Sequence, residues 1–369
     1  MYKIAFLVTR SDHIGGSHVH VRDLVLRLNQ DGHEVKVFMG GDGPVIDNFK
    51  NLGIDVVSIK NLEKELSLLS DPKAFFELRR KLKEFAPDLI TAHSAKIGFI
   101  GRLVAKSLKI PVTFTSHCWS FTGRDNLIFR TVYRVLEQLA IPCTDKIFAV
   151  SEYDKNVGLS KLMVPDNLIV TVHNGMPDVS KENISNHNAK DEVNIIMVAR
   201  FDHQKDQAEL IKAAHGIENI HIHLVGDGPL RKQVEELAQK NDMKDHITFW
   251  GEQNNVPEML GKADIFALIS NWEGFPCSTL EAMRAALPTI VSDVGGSAEA
   301  IEEGVTGYAV EKGNIERLHY IIKELVEDSK KRKNMGIAAR NRYKELYTFD
   351  TMYKKNLEIY KTLINGKKS

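Results

Sequence analysis

The chain has 369 residues, of which 43% are hydrophobic and 27% charged, and its 49 Lys and Arg are matched by 49 Asp and Glu. That length makes two domains the default, and the composition excludes disordered, fibrous and disulfide-scaffold classes. A formal net charge of +0 argues against nucleic acid as a partner, although basic residues slightly outnumber acidic ones up to residue 175.

Apolar runs predict strands at 3–9, 34–39, 88–92, 111–116 and 145–150, with helical patterns between them at 17–31, 72–86, 95–108 and 125–140. The second half repeats the scheme, with strands near 193–199, 219–225, 246–250, 264–269 and 288–291 and helices near 205–215, 229–240 and 279–287. Continuous apolar strands separated by amphipathic helices predict parallel sheets covered on both faces, hence an α/β chain. The polar, aperiodic stretch 176–192 reads as a linker between a domain at 1–175 and another at 193–347, and the tail from 313 onward reads as charged helix. The opening run Ile4–Val8 is a buried strand, too short for a signal peptide, and no run approaches the ~18 residues of a membrane span. Cys118, Cys143 and Cys277 form no CxxC, so neither a disulfide framework nor a zinc cluster is implied, and a cytosolic chain is expected.

Doubly wound domains bind ligands at the carboxyl ends of their strands, so the loops there, and a cleft between the two domains, should carry the chemistry. After the first strand, Ser11-Asp-His-Ile-Gly15-Gly16-Ser17 leads into a helix; the glycine pair suits a phosphate, and equally a plain turn. It lacks the third glycine of the dinucleotide fingerprint. His93 and Lys96 follow the strand at 88–92, and His117 follows the strand at 111–116. An imidazole there can bond a sugar hydroxyl or a phosphate, or serve only the structure. Arg200 and Lys205 leave the strand at 193–199, where a cationic fork and an ammonium suit a diphosphate, though both could simply be solvated. Gly226-Asp227-Gly228 ends another strand, where a nucleoside could lie against backbone, and Gly251 closes a run whose backbone could meet a base edge. The Phe249 and Trp250 side chains before it read as core.

The most informative stretch is Glu273-Gly-Phe275-Pro276-Cys277-Ser278-Thr279-Leu-Glu281. Its two carboxylates can accept from sugar hydroxyls, and the helix start between them suits a phosphate. Ser278 and Glu281 also fit an S-x-x-E capping box, which would make Glu281 structural. The run Asp71–Phe85 mixes apolar and cationic positions, so it could rest on an anionic membrane or be an ordinary surface helix.

Together these residues resemble the retaining glycosyltransferases of the GT-B fold, in particular family four. The resemblance rests on Gly15-Gly16, His117, Val172-His-Asn174-Gly175, Arg200, Lys205, Gly226–Pro229 and the Glu273–Glu281 block with Gly295-Gly296 after it. His93–Arg102 with Thr115–Phe121 looks like the subgroup that builds bacterial capsule and exopolysaccharide units on a lipid carrier. The resemblance implies two Rossmann-like doubly wound domains facing an interdomain cleft, with residues 348–369 returning to the N-terminal, acceptor-side domain. It implies transfer of a sugar from a nucleotide sugar, a UDP-sugar first, to a glycan or polyprenyl-linked saccharide, in the cytoplasm or at the inner face of the plasma membrane. In that scheme Gly15 and Gly16 approach the donor phosphates, and Arg200 with Lys205 neutralises the leaving diphosphate. Glu273 meets the transferred sugar beside the backbone of Phe275, Pro276 and Cys277, while Ser278 and Thr279 open the helix facing the phosphates. Glu281 meets the ribose, His117 lies near the sugar, Asn174 and Gly175 form the hinge, and His93 and Lys96 face the acceptor. No cofactor or metal is expected, because fixed cations can stabilise the leaving group and no Asp-x-Asp occurs. The alternatives are a nucleotide-sugar epimerase of related fold and a non-catalytic sugar-binding protein.

Overall fold

Two sheets organise the chain in a computed structural model that describes residues 1–12, 15–63, 67, 69–123, 126–186 and 192–367. The residues form two compact units, Met1–His173 with Tyr353–Ser369, and Asn174–Met352.

In the first unit the strands are β1 (Lys3–Val8), β2 (Glu34–Gly40), β3 (Asp55–Ile59), β4 (Leu89–His93), β5 (Val112–Ser116), β6 (Lys146–Ala149) and β7 (Ile169–Thr171). Helices α1 (Gly16–Gln30), α2 (Pro44–Asn51), α3 (Ser70–Phe85), α4 (Ala95–Leu108), α5 (Leu127–Ala140) and α6 (Glu152–Lys161) alternate with them. The sheet runs β3-β2-β1-β4-β5-β6-β7 with every pairing parallel. Every residue of β4 and β5 is buried, as central strands covered on both faces require.

The second unit holds β8 (Val193–Val198), β9 (Ile220–Val225), β10 (Ile247–Gly251), β11 (Ile265–Leu268), β12 (Thr289–Ser292) and β13 (Gly307–Val310). Its helices are α7 (Gln207–Ala214), α8 (Arg231–Lys240), α9 (Val256–Lys262), α10 (Cys277–Arg284), α11 (Ile315–Glu327) and α12 (Ser329–Leu346). The order β10-β9-β8-β11-β12-β13 repeats the first sheet's winding, again parallel throughout. Helix α13 (Phe349–Gly366) begins among second-unit residues and continues in the first unit, where Tyr360 is buried edge-on against Phe148 and the Tyr353 hydroxyl donates to Asp31 at 2.5 Å.

The periodic pattern missed α2, β3, α6, β7, α9 and β13. These pieces are short, or lie at a sheet edge where β3 is mostly half-buried, so their apolar content is too small to stand out. Of the predicted linker, residues 176–186 belong to the second unit: Ser185 donates its N–H to the Ala285 carbonyl at 2.9 Å and its hydroxyl to the Ala263 carbonyl at 3.1 Å. Residues 187–191 lie outside the described residues. Among the described residues no helix is long and apolar enough to cross a membrane.

Candidate functional site

In the second sheet the winding reverses between the neighbours β8 and β11, the switch point at which such sheets open a crevice. The loops leaving these two strands are joined by backbone. Lys205 bridges Ser270 antiparallel, Asn271 N–H donates to the Gln204 carbonyl at 2.7 Å, and Asp206 N–H to the Ile269 carbonyl at 2.9 Å. Asp206 then caps α7 by accepting from the Glu209 N–H at 2.9 Å, which ends the loop at a fixed place.

This join delivers the Lys205 ammonium onto Glu273 Oε1. The same oxygen accepts from the Ser270 hydroxyl at 2.7 Å, and Oε2 accepts from the Gln204 amide at 3.3 Å. Glu273 is 5% exposed, so its charge is held by three donors in a region poor in water. From the other side Gly295 presses on the loop with φ +60°, and a Cβ there would stand 1.9 Å from the Glu273 carbonyl oxygen. Only glycine fits both the dihedral and the gap.

Pro276 sits at the N-cap of α10, and among the described residues no side chain caps that start. The S-x-x-E capping box is therefore not formed. The helix opens at Cys277, ahead of Ser278, and the Glu281 carboxylate lies 3.6 Å from the Arg284 guanidinium further along it. Asn174 secures the preceding loop by donating its amide to the Phe275 carbonyl at 2.7 Å, while the Phe275 ring packs on Tyr347. The buried Asn174 Oδ1 and Thr279 Oγ1 have no hydrogen-bond partner among the described residues, so polar capacity remains beside this helix start.

Arg200 leaves β8 with its side chain 42% exposed and its Nε 3.9 Å from the Asp202 carboxylate. The glycines Gly226 and Gly228 serve the same loop: Cβ atoms there would stand 2.2 Å from the Ala199 oxygen and 2.3 Å from the Phe201 oxygen. Asp227 accepts from its neighbour Gly228 and from Arg231, and the Gly251 carbonyl accepts from the Gly226 N–H at 2.8 Å. Trp250 departs from the core reading. It is 44% exposed, and its indole N–H donates to His223 Nδ1 at 3.1 Å, because β10 is the edge strand and leaves that face uncovered.

In the first unit the corresponding reversal lies between β1 and β4. Gly15 is the N-cap of α1, whose first residue is Gly16, and its N–H donates to His18 Nδ1 at 3.2 Å. That leaves His18 Nε2–H to donate to the Arg10 carbonyl at 2.9 Å. The predicted residues His13 and Ile14 of this loop lie outside the described residues. At the end of β4 the fully buried His93 bonds Thr91 Oγ1 through Nε2 and His117 Nε2 through Nδ1, each at 3.1 Å. His20 of α1 packs on both, tilted against the His93 ring at 5.5 Å and edge-on to the His117 ring at 5.0 Å. Burial first, and neighbouring imidazoles second, hold His93 and His117 well below the usual 6.5, so both rings are neutral near neutral pH. Among the described residues, His20, His93 and His117 each offer a ring nitrogen within 4.8 Å of the others, a set that could hold a metal ion. Lys96 is buried, and its ammonium is held internally by Asp71 at 2.6 Å, tying α4 to α3.

Residues 179–342 match the family model of Glycosyl transferases group 1, and residues 14–178 that of Glycosyltransferase Family 4. An uncharacterized glycosyltransferase of Methanocaldococcus jannaschii is 30% identical over 329 residues, covering 88% of each chain. The chain belongs to glycosyltransferase family 4. This glycosyltransferase is 26% identical to the Escherichia coli UDP-Gal:alpha-D-GlcNAc-diphosphoundecaprenol alpha-1,3-galactosyltransferase, over 89% of this chain and 87% of the relative. Anabaena Alr3699/HepE, solved with UDP and glucose, superposes with a TM-score of 0.85 at 19% identity, over 98% of this chain and 100% of that one. The GT-B fold expected from the sequence is thereby shown, and the epimerase alternative is not favoured.

Reading the sequence missed three members of the glycosyltransferase's polar groups: Gln204, Ser270 and His20. Gln204 and Ser270 are ordinary polar loop residues until the two loops join. His20 lies two residues beyond His18 on α1, and nothing in the helix pattern marks it as facing His93.

Proposed function

We propose that this glycosyltransferase transfers a sugar, with retention and without a metal, from a UDP-sugar to a saccharide on a polyprenyl diphosphate during surface-polysaccharide synthesis. The Lys205–Glu273 contact at the β8/β11 switch point carries the reading, because it sets a phosphate cation beside a sugar-binding acid. The E. coli relative's name, which pairs UDP-Gal with a diphosphoundecaprenol acceptor, supports the donor and acceptor classes.

As the sugar–phosphate bond breaks, negative charge grows on the diphosphate and positive character on the anomeric carbon. Arg200, Lys205 and the first turn of α10 at Ser278 and Thr279 stabilise the first, and Gly15 and Gly16 at the start of α1 suit a donor phosphate. Glu273, held by Ser270 and Gln204, accepts from sugar hydroxyls and favours the cationic carbon. Glu281 holds the ribose, Gly226–Gly228 and Gly251 the nucleoside, and neutral His117 a sugar hydroxyl. His93 fixes the His117 ring from behind. The acceptor hydroxyl attacks from the face the diphosphate leaves, and its proton passes to the departing phosphate oxygen, giving glycoside and UDP.

The test is turnover of a nucleotide-sugar panel with and without lipid-diphosphate saccharides, in chelator, with the product's anomeric configuration read by NMR. Acceptor-dependent formation of a retained glycoside is expected. Inversion, loss of activity in chelator, or sugar conversion without acceptor would each overturn the matching part.

A further inference from the structure

Helix α5 is inside out for a surface helix. Its single acid, Glu137, is 3% exposed and pairs at 2.5 Å with the fully buried Arg102, whose guanidinium lies 4.2 Å from the Phe114 ring centre. Tyr133 and Ala140 face inward with Glu137, one turn to either side. That pair fixes the helix's rotation and turns its apolar side to solvent. Leu127, Ile128, Phe129, Val132, Val135 and Leu139 are between 39% and 74% exposed. Of these, Ile128, Val132, Val135 and Leu139 follow the i, i+4, i+7, i+11 spacing of one stripe. The charged side chains beside the stripe are Arg130 and Arg134, both exposed.

An exposed apolar patch of this kind marks an interaction surface. Apolar anchors flanked by Arg, with no outward-facing acid on α5 itself, complement the headgroup boundary of an anionic bilayer. A second copy of the chain suits them less, since a symmetric contact would set Arg130 and Arg134 against their own counterparts. The sequence had offered α3 for this role. There Phe76 is the large apolar side chain exposed within the helix, and Arg80 is paired with Glu84 at 2.7 Å.

We infer that α5 seats this glycosyltransferase on an anionic lipid surface. Its purpose rests on the proposed lipid-linked acceptor: α5 follows β5, whose carboxyl end carries His117, so docking keeps that strand end near the headgroups where a polyprenyl diphosphate lies.

The experiment is co-sedimentation of the full chain with phosphatidylcholine vesicles, with and without phosphatidylglycerol. It compares the parent with Ile128→Ser/Leu139→Ser and Arg130→Glu/Arg134→Glu, whose exposed positions leave folding intact by thermal melting. The parent should bind anionic vesicles about tenfold or more better than neutral ones, and both variants should lose about tenfold or more. All three should turn over a water-soluble, short-chain diphosphate acceptor equally. Absence of parental binding, undiminished binding by both variants, or a parental dimer in sedimentation equilibrium that Leu139→Ser abolishes would overturn the inference. Parental vesicle binding lost in both variants, with no turnover on any diphosphate-linked saccharide, would uphold docking and remove the acceptor reading instead.

Discussion

Replacing Lys205 by Met separates two duties of the Lys205–Glu273 pair. The substitution leaves a carboxylate that is 5% exposed with donors only from Ser270 at 2.7 Å and Gln204 at 3.3 Å. Breaking a buried ion pair costs about 3–5 kcal/mol. The two remaining donors, and a Lys205 side chain that is 14% exposed, bring the expected loss to about 2–3 kcal/mol. For a unit of this size that lowers the melting temperature by about 4–10 °C. Adding Glu273→Gln removes the stranded charge, and its amide oxygen still accepts from Ser270, so about 2 kcal/mol should return. Activity should not follow. Turnover depends on charge facing the diphosphate, so kcat/KM should fall about 10²–10³-fold in Lys205→Met and stay low in the double variant. Calorimetric melts and UDP release on the same samples give both readings. Lys205→Met with kcat/KM within about threefold of the parent would remove the diphosphate role. A double variant no more stable than the single would show that the ion pair is not what holds this loop.

Arg200→Ala should leave stability within about 0.5 kcal/mol, since the side chain is 42% exposed, yet lower kcat/KM about 100-fold; near-parental kinetics would discard the assignment. Gly295→Ala, at φ +60° and with a Cβ 1.9 Å from the Glu273 oxygen, should destabilise the second unit by about 1–3 kcal/mol and cut kcat/KM about tenfold or more by shifting Glu273. Parental melting and kinetics in that variant would show the loop is not clamped there. His93 and His117 sit well below 6.5 when folded and regain the usual value when unfolded, so the folded state binds fewer protons in acid. Their stability contribution is complete above about pH 6.5 and falls by about 2–3 kcal/mol in total by about pH 5.5. Melts at the two pH values, with the drop roughly halved in His93→Asn, check this; a first unit that melts alike at both counts against it.

The alternation of buried strands and amphipathic helices was readable because each long element carries its own burial pattern. β4 and β5 are buried throughout and fall on the apolar runs at 88–92 and 111–116, so they announced themselves, whereas three-residue β7 had no room to do so. The candidate residues at strand exits were likewise readable by type: Arg200 and Lys205 after one strand, Glu273 after another. Ser278-x-x-Glu281 shows the limit of that reading. The motif matches a cap, yet the helix opens ahead of it, at Cys277.

By itself the sequence determined where most of the longer strands and helices lie, that the sheets are parallel and covered, and which side chains could serve a sugar diphosphate. These follow from local periodicity and residue chemistry. Only the tertiary structure decided that Lys205 and Glu273, 68 positions apart, share an oxygen with Ser270, that three imidazoles cluster behind Thr91, and that α5 turns its apolar stripe outward. Those contacts come from the β8–β11 and β4–β5 pairings and from one buried Arg102–Glu137 pair, and a linear pattern does not encode which distant partner a side chain meets.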